Sequence, residues 1–392
     1  MPRSQVVHAR PAAATAGSTQ RSPSARPSLG CDDLQFQDRV LPGVSRTFAL
    51  TIPQLPRRLG LAVTNAYLLC RIADTIEDDA ALDPEEKAAL HEDFLGVLAG
   101  TADAPTFATV LESKLSPGTP AAEQELVLGI PQILHIMNGL SEKEVRAIRS
   151  CLAVMCGGMD QYSRGRGPGG LANVRALERY CYFVAGVVGE MLTELFCAHS
   201  AEIAAHHDEL MSCAVSFGEG LQMTNILKDV WEDLEQGTCW LPRDVFDLAG
   251  RDLSSLRRLG PDAAFAAGMQ ELVAIAHVKL RDALRYTLLI PRHEAGIRRF
   301  LAWAIGLALL TLQRIHGTPC FTRGAQVKVT RRTVKALVVV TSASIRSNAT
   351  LQALFSLSAR GLPLPAPEPS PLGARHALPF PTTDEQRRRR LR

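Results

Sequence analysis

No two cysteines stand at the spacing of a redox or zinc motif: the nine are odd in number and scattered, with no C-x-x-C among them. Free thiols in a reducing compartment follow, not a disulfide framework. The chain also lacks H-E-x-x-H, G-x-S-x-G and G-x-x-x-x-G-K-[ST], which weakens metalloprotease, serine-hydrolase and P-loop readings. No run free of Asp, Glu, Lys and Arg exceeds the 16 residues from Leu126 to Ser141, short of the roughly 20 apolar residues a membrane helix needs. The expectation is a cytoplasmic protein with no transmembrane helix, touching membrane peripherally at most. Acid is missing from residues 1–30, which hold four arginines, and residues 360–392 hold seven arginines against three acids. With a whole-chain charge of +3, residues 31–359 are left at −5. The middle of the chain therefore offers no basic surface for nucleic acid and suits a protein that gathers cations.

What is present divides into three parts. Residues 1–30, rich in Ala, Ser, Pro and Arg, cannot bury enough apolar surface to order themselves and read as a disordered basic arm. A transit peptide has the same composition, but no amphipathic period supports one. Residues 360–392 carry most of their prolines close together and end in Arg387, Arg388, Arg389 and Arg390 before the last two residues. They read as a Pro/Arg-rich disordered tail with loose attraction to anionic lipid. Between the tails, 31–359 is expected to form one catalytic domain. Apolar residues there recur with helical spacing, and long helices are predicted over 59–76, 145–162, 177–200, 210–234, 264–289, 297–315 and 333–357. Several are apolar nearly all round, as the inner helices of a large bundle are. An all-α single domain follows, with no solenoid repeat.

Gly165, Gly167 and Gly170 satisfy G-x-G-x-x-G, but that fingerprint counts only after a strand and at the opening of a βαβ unit. Here it follows a helical segment and includes Pro168, so a loop between helices is expected.

Two acidic segments carry the chemistry. In Tyr67-Leu-Leu-Cys-Arg71-Ile-Ala-Asp74-Thr-Ile-Glu77-Asp78-Asp79, helical steps of four, three and four put Tyr67, Arg71, Asp74 and Asp78 on one stripe. Asp74 and Asp78 lie about 6 Å apart along the axis and repel unless a cation joins them. A solvated acidic helix end would explain this segment alone. The second segment, Gln222 to Asp233, puts Asn225, Asp229 and Asp233 on one stripe of an otherwise apolar helix, where unpaired carboxylates are costly. Two such D-x-x-x-D clusters suggest two helices whose acidic faces meet across a cavity. Cleavage of an organic diphosphate needs that arrangement, because Mg²⁺ held by carboxylates and the substrate's own oxygens neutralises the leaving group. The carbocation left behind needs a dry cavity with aromatic faces.

These residues resemble the squalene/phytoene synthases, head-to-head prenyltransferases with the all-α isoprenoid synthase bundle and its central cavity. The motifs are Ser45-Arg46-Thr47-Phe48-Ala49, Arg71 through Asp79, Tyr180-Cys-Tyr-Phe-Val-Ala-Gly186-Val-Val-Gly189, and Gln222 through Asp233 followed by Trp240-Leu-Pro242. They occur in the family's order over about residues 33–355. The resemblance implies that Asp74, Glu77, Asp78, Asp229 and Asp233 hold Mg²⁺ and the diphosphates. It implies further that Arg46, Arg71 and Lys228 pair with phosphate oxygens, with Ser45 and Asn225 as hydrogen-bonding neighbours. Tyr180 matches the family's catalytic tyrosine, and Phe48, Tyr67, Val184, Met191 and Leu192 would line the isoprenoid tunnel. A core role explains each of these apolar and aromatic residues equally well.

Two activities within the family stay open. One joins two farnesyl diphosphates through presqualene diphosphate and reduces the product to squalene with NADPH. The other joins prenyl diphosphates to phytoene or dehydrosqualene without reduction. Val327-Lys328-Val329-Thr330-Arg331 is similar to the segment squalene synthases use near NADPH, which would make Lys328 a cofactor phosphate ligand and favours the first. Trp240-Leu-Pro242 leans toward the second. Three departures from the family pattern are Thr238 and Thr330, where Arg is common, and Lys228, which keeps the charge but not the bidentate fork. A monomer acting on prenyl diphosphates is expected. A non-catalytic relative is disfavoured by the intact acidic clusters and Tyr180.

Overall fold

The computed structural model describes residues 30–165 and 167–365. The expected basic arm, but for Gly30, and most of the Pro/Arg-rich tail lie outside them. The chain begins with α1 (Cys31–Val44), α2 (Arg46–Thr51) and α3 (Arg57–Asp78). It continues through α4 (Pro84–Ala99), α5 (Ala104–Lys114), α6 (Ala121–Leu128), α7 (Ile130–Asn138) and α8 (Glu142–Ser163). Next come α9 (Val174–Cys181), a π-helical turn (Tyr182–Gly186), α10 (Val187–His199), α11 (Ala201–Ala204) and α12 (His207–Glu235). The last third holds α13 (Arg243–Leu248), α14 (Leu256–Leu259), α15 (Ala263–Leu289), α16 (Ala295–Gly317), α17 (Gly324–Val327), α18 (Arg331–Ser344) and α19 (Asn348–Ser358). The all-α bundle expected from the apolar period is what forms.

Local signals place the helix starts. Asp83 and Glu86 form a capping box on α4, with Pro84 in the first turn, and Ser141 and Glu144 do the same for α8. Ser45 caps α2, its hydroxyl accepting from the Phe48 amide at 3.0 Å. Long helices α3, α8, α10, α12, α15 and α16 supply the apolar centre, with α12 packed along α15 as its main neighbour. Two buried apolar clusters result. One joins α1, α3, α4 and α8 to α10; the other joins α9 and the second half of α12 to α15 and α16. Val184 and Leu221 touch both.

Where α10 and the π-turn cross α12, the backbones meet without side chains between them. A Cβ on Gly189 would stand 2.0 Å from the Ala214 carbonyl oxygen, and one on Gly218 2.0 Å from that of Ala185. Only glycine fits such an approach. The glycine loop after α8 has a structural use as well. Gly170 turns at φ +78°, after which Leu171 bonds to the Leu241 carbonyl at 2.9 Å and Cys239 to that of Gly167 at 3.0 Å. The loop thus straps Trp240-Leu-Pro242 against the end of α8.

Two expected helices are interrupted. The stretch over 177–200 contains the π-turn, a distortion that recurs at functional sites. The stretch over 333–357 breaks after α18, because Arg298 of α16 reaches in from another part of the chain. Its guanidinium donates to the carbonyls of Ile345 and Ile290 and to Asn348 Oδ1, each at 2.7 Å. The bond to Ile345 caps the end of α18 and that to Ile290 the end of α15, while Ser347 caps the start of α19.

One expectation is wrong. Three helical stretches, Arg57–Asp78, Val174–His199 and Ala295–Gly317, are long and apolar enough to cross a membrane. Each carries isolated charged residues, so none forms a charge-free run, but a membrane helix tolerates such residues when the remainder is apolar. Within the bundle 72%, 56% and 67% of these spans are buried. The exclusion of a spanning helix, and the cytoplasmic assignment built on it, do not stand.

Candidate functional site

The two acidic stripes open onto one cavity of about 460 Å³, enclosed by α3, α8, the π-turn, α10 and α12. From α3 it receives Tyr67, Arg71, Asp74, Glu77 and Asp78; from α12, Asn225, Lys228, Asp229 and Asp233. Tyr180 enters from α9, and Phe48, Val184, Met191 and Leu192 complete the apolar wall. Residues far apart in sequence are therefore brought together. Three expected site residues are not among those lining it. The Ser45 hydroxyl caps α2 and also hydrogen-bonds Tyr67, Arg46 is exposed on the same helix, and Lys328 is exposed just beyond α17. That short helix is nevertheless anchored at the acidic end of α12, where the Gly324 amide donates to Glu232 Oε1 at 3.0 Å.

Electrostatics at the α3 stripe follow first from burial, then from neighbouring charges. Asp74 lies deep in the molecule although about a third of its side chain faces the cavity. Burial raises its pKa to about 7; Arg71 opposes the rise, and the carboxylates of Asp78, Glu77 and Glu123 add to it. Glu77 is turned toward α8, where Ser163 Oγ donates to its Oε2 at 2.7 Å, and the Lys87 ammonium donates to its backbone carbonyl at 2.6 Å. On α12, Lys228 Nζ sits 2.9 Å from Asp229 Oδ2, a half-exposed pair of small energetic weight. Among the described residues, no three His, Cys, Asp or Glu side chains converge into a ready-made metal cage. The donor set is all oxygen and spread over two helices. It suits Mg²⁺, which keeps several waters and takes one or two carboxylates together with substrate phosphate oxygens.

Above the apolar wall sits a group of aromatic rings. Tyr180 stacks on Trp240 with ring centroids 3.9 Å apart and planes 10° from parallel, and Tyr162 lies 5.3 Å from Tyr180. Tyr67, against Phe48 at 4.9 Å, donates its hydroxyl to the Val44 carbonyl at 3.2 Å, and burial pushes its pKa up to about 12. Three of the lining aromatic residues have no role in the motifs. Trp240 was legible only as part of its tripeptide, while Phe217 and Phe300, which also line the cavity, carry no motif signal. Glu123 of α6, which bonds Arg71, has no signal in sequence at all.

The class is defined by an all-α bundle whose apolar cavity is edged by two D-x-x-x-D helices. The chain belongs to the squalene/phytoene synthase family, whose model matches residues 41–333. Among curated proteins it is similar to squalene synthase ERG9 of Candida albicans, with 29% identity over 303 residues, 75% of this chain and 64% of the relative. Squalene synthase 1 of Arabidopsis thaliana is 28% identical over 307 residues, 75% of this chain and 70% of the relative. The chain spans a little under two thirds of the length of the Candida albicans and Gibberella zeae squalene synthases. Among solved structures, a ligand complex of TcSQS superposes with a TM-score of 0.65 at 23% identity, covering 84% of this chain and 91% of that one. A dehydrosqualene synthase superposes at 0.57 with 21% identity, covering 81% and 97%. The structural likenesses establish the fold.

Proposed function

We propose that the protein joins two farnesyl diphosphates head to head to presqualene diphosphate, and reduces that intermediate to squalene with NADPH. The observation that carries the reading is the convergence of both acidic stripes and Tyr180 on one cavity. Asp74, Asp78, Asp229 and Asp233 would hold the Mg²⁺ ions that neutralise the departing pyrophosphate, with Glu77 oriented behind them. Arg71 and Lys228 would bind phosphate oxygens, and Asn225 would hydrogen-bond at the mouth. When the C–O bond breaks, pyrophosphate leaves with the electron pair. The allylic cation then faces Tyr180 and Trp240, whose rings tolerate positive charge in a site that excludes water. Lys328 would meet a cofactor phosphate from outside the cavity, beside the acidic end of α12. The curated relatives named as squalene synthases support this choice over condensation without reduction.

Purified protein with farnesyl diphosphate and Mg²⁺, assayed with and without NADPH, tests it. Squalene formed only with NADPH is the expected result. Presqualene diphosphate under both conditions would limit the enzyme to the first half-reaction, and phytoene from C20 substrate with no C15 reaction would replace the substrate. Asp78→Asn or Asp229→Asn is expected to abolish turnover and leave the helical circular dichroism unchanged. Full activity in either variant would contradict the metal assignment.

A further inference from the structure

Arg71 stands one turn before Asp74 on α3, where a guanidinium ordinarily folds onto an i+3 carboxylate. Here the two contacts are unequal: its Nη1 makes only a long ion pair with Asp74 Oδ2 at 4.0 Å, whereas Nη2 lies 2.5 Å from Glu123 Oε1 on α6. The second carboxylate oxygen of Glu123 is 3.1 Å from Thr75 Oγ1, and that hydroxyl is also 2.9 Å from the Arg71 carbonyl. Glu123 therefore meets α3 at two residues one turn apart, Arg71 through one oxygen and Thr75 through the other, the Thr75 hydroxyl proton being shared with the Arg71 carbonyl. It is buried at 9% exposure and does not line the cavity, whereas Arg71 does. Arg71 Nε remains buried without a protein acceptor, so the guanidinium keeps a donor that Glu123 does not satisfy.

The consequences follow from charge. A charge-assisted bond at this distance, largely shielded from water, is among the stronger side-chain contacts. Without it, Asp74 is the nearest competing carboxylate for Arg71. Collapse onto Asp74 would neutralise a carboxylate needed for a cation and withdraw the guanidinium from the diphosphate. We propose that Glu123 is a positioning residue: it holds the Arg71 guanidinium off Asp74 and toward the cavity, so that one side chain meets the diphosphate while the other meets its metal. The inference rests on the reading that this cavity binds prenyl diphosphate.

The test compares wild type with Glu123→Gln, Glu123→Asp, Arg71→Gln and the double variant Glu123→Gln/Arg71→Gln. The readouts are kcat and KM for farnesyl diphosphate, Mg²⁺-pyrophosphate binding by calorimetry, and melting temperature. Glu123→Gln is expected to lower kcat/KM about 10- to 100-fold, in the range set by groups that orient a ligating side chain. Pyrophosphate binding should weaken in parallel, and Glu123→Asp should recover part of the loss. In the Arg71→Gln background the same substitution should cost less than about threefold, because its target is gone. Wild-type kcat/KM in Glu123→Gln, or a full additional loss in the double variant, would overturn the proposal. If Glu123→Gln fails to fold, Glu123→Asp carries the same comparison in both backgrounds. Failure of the wild type itself to bind Mg²⁺-pyrophosphate would instead overturn the functional reading.

Discussion

Tyr180 and Trp240 illustrate how much a single contact contributes at this site. An offset or parallel aromatic pair is worth about 0.5–1.5 kcal/mol beyond the area it buries, and the 3.9 Å stack fixes the plane of the tyrosine ring beside the cavity. Trp240→Phe is expected to keep turnover within about threefold, whereas Trp240→Ala should lower kcat about tenfold, one factor of ten per 1.4 kcal/mol. Steady-state assays of the two variants check this, and equal rates would remove Trp240 from any positioning role. Asp74 gives a second prediction, for the metal-free protein. Its pKa in the folded protein, about 7, lies above the value for an unfolded chain. The native state therefore binds more protons between those limits, and the Asp74 contribution to stability, fully present in acid, is lost as pH rises toward 7. Discounted for the water that reaches this side chain, the effect is about 1–2 kcal/mol. Asp74→Asn should melt higher than wild type at pH 8 and close to it at pH 4. A melting difference independent of pH would show that folding does not raise this carboxyl.

Helices meet in this bundle at distances that particular residues permit. Gly189 and Gly218 let α10 and the π-turn lie directly on α12, and this approach brings the helix bearing Tyr180 beside the one bearing Asp229. Gly218→Ala would put a methyl group 2.0 Å from the Ala185 carbonyl oxygen, and separating the helices should cost about 1–3 kcal/mol. Gly169→Ala is the matched control, since nothing lies within 4 Å of its added Cβ. Thermal unfolding should show a lower midpoint for the first and little change for the second; equal midpoints would mean that the crossing relaxes without cost. The helical period identified α3, α8, α12, α15 and α16 because each keeps one apolar pattern for five or more turns. It missed the π-turn and the break between α18 and α19. The latter depends on Arg298, 47 residues before the carbonyl it caps, and a window of local sequence carries no trace of a donor arriving from another helix.

Across the whole molecule, the cavity lies where two apolar clusters adjoin, and its mouth gathers the carboxylates of both stripes. Ligands that bind only this folded arrangement should stabilise it, by about 2.7 kcal/mol at a hundredfold excess over Kd. Mg²⁺ and pyrophosphate together are expected to raise the melting temperature more than the sum of either alone, because each supplies charge the other needs. Removing the metal with EDTA should abolish the gain. Additive or absent shifts would argue against a shared site. The membrane question also belongs to this scale: composition alone makes three helical stretches long and apolar enough to cross a bilayer, and packing decides that more than half of each such span is buried inside the bundle. Sequence by itself determined the helical class, the two carboxylate stripes and their likeness to one family, because i,i+4 spacing is a local property that survives in one dimension. Only tertiary structure decided that the stripes share a cavity, that Arg298 caps α18, and that Arg71 is held by Glu123. Those facts depend on which helices touch, and contacts between distant segments follow from shape, burial and close approach.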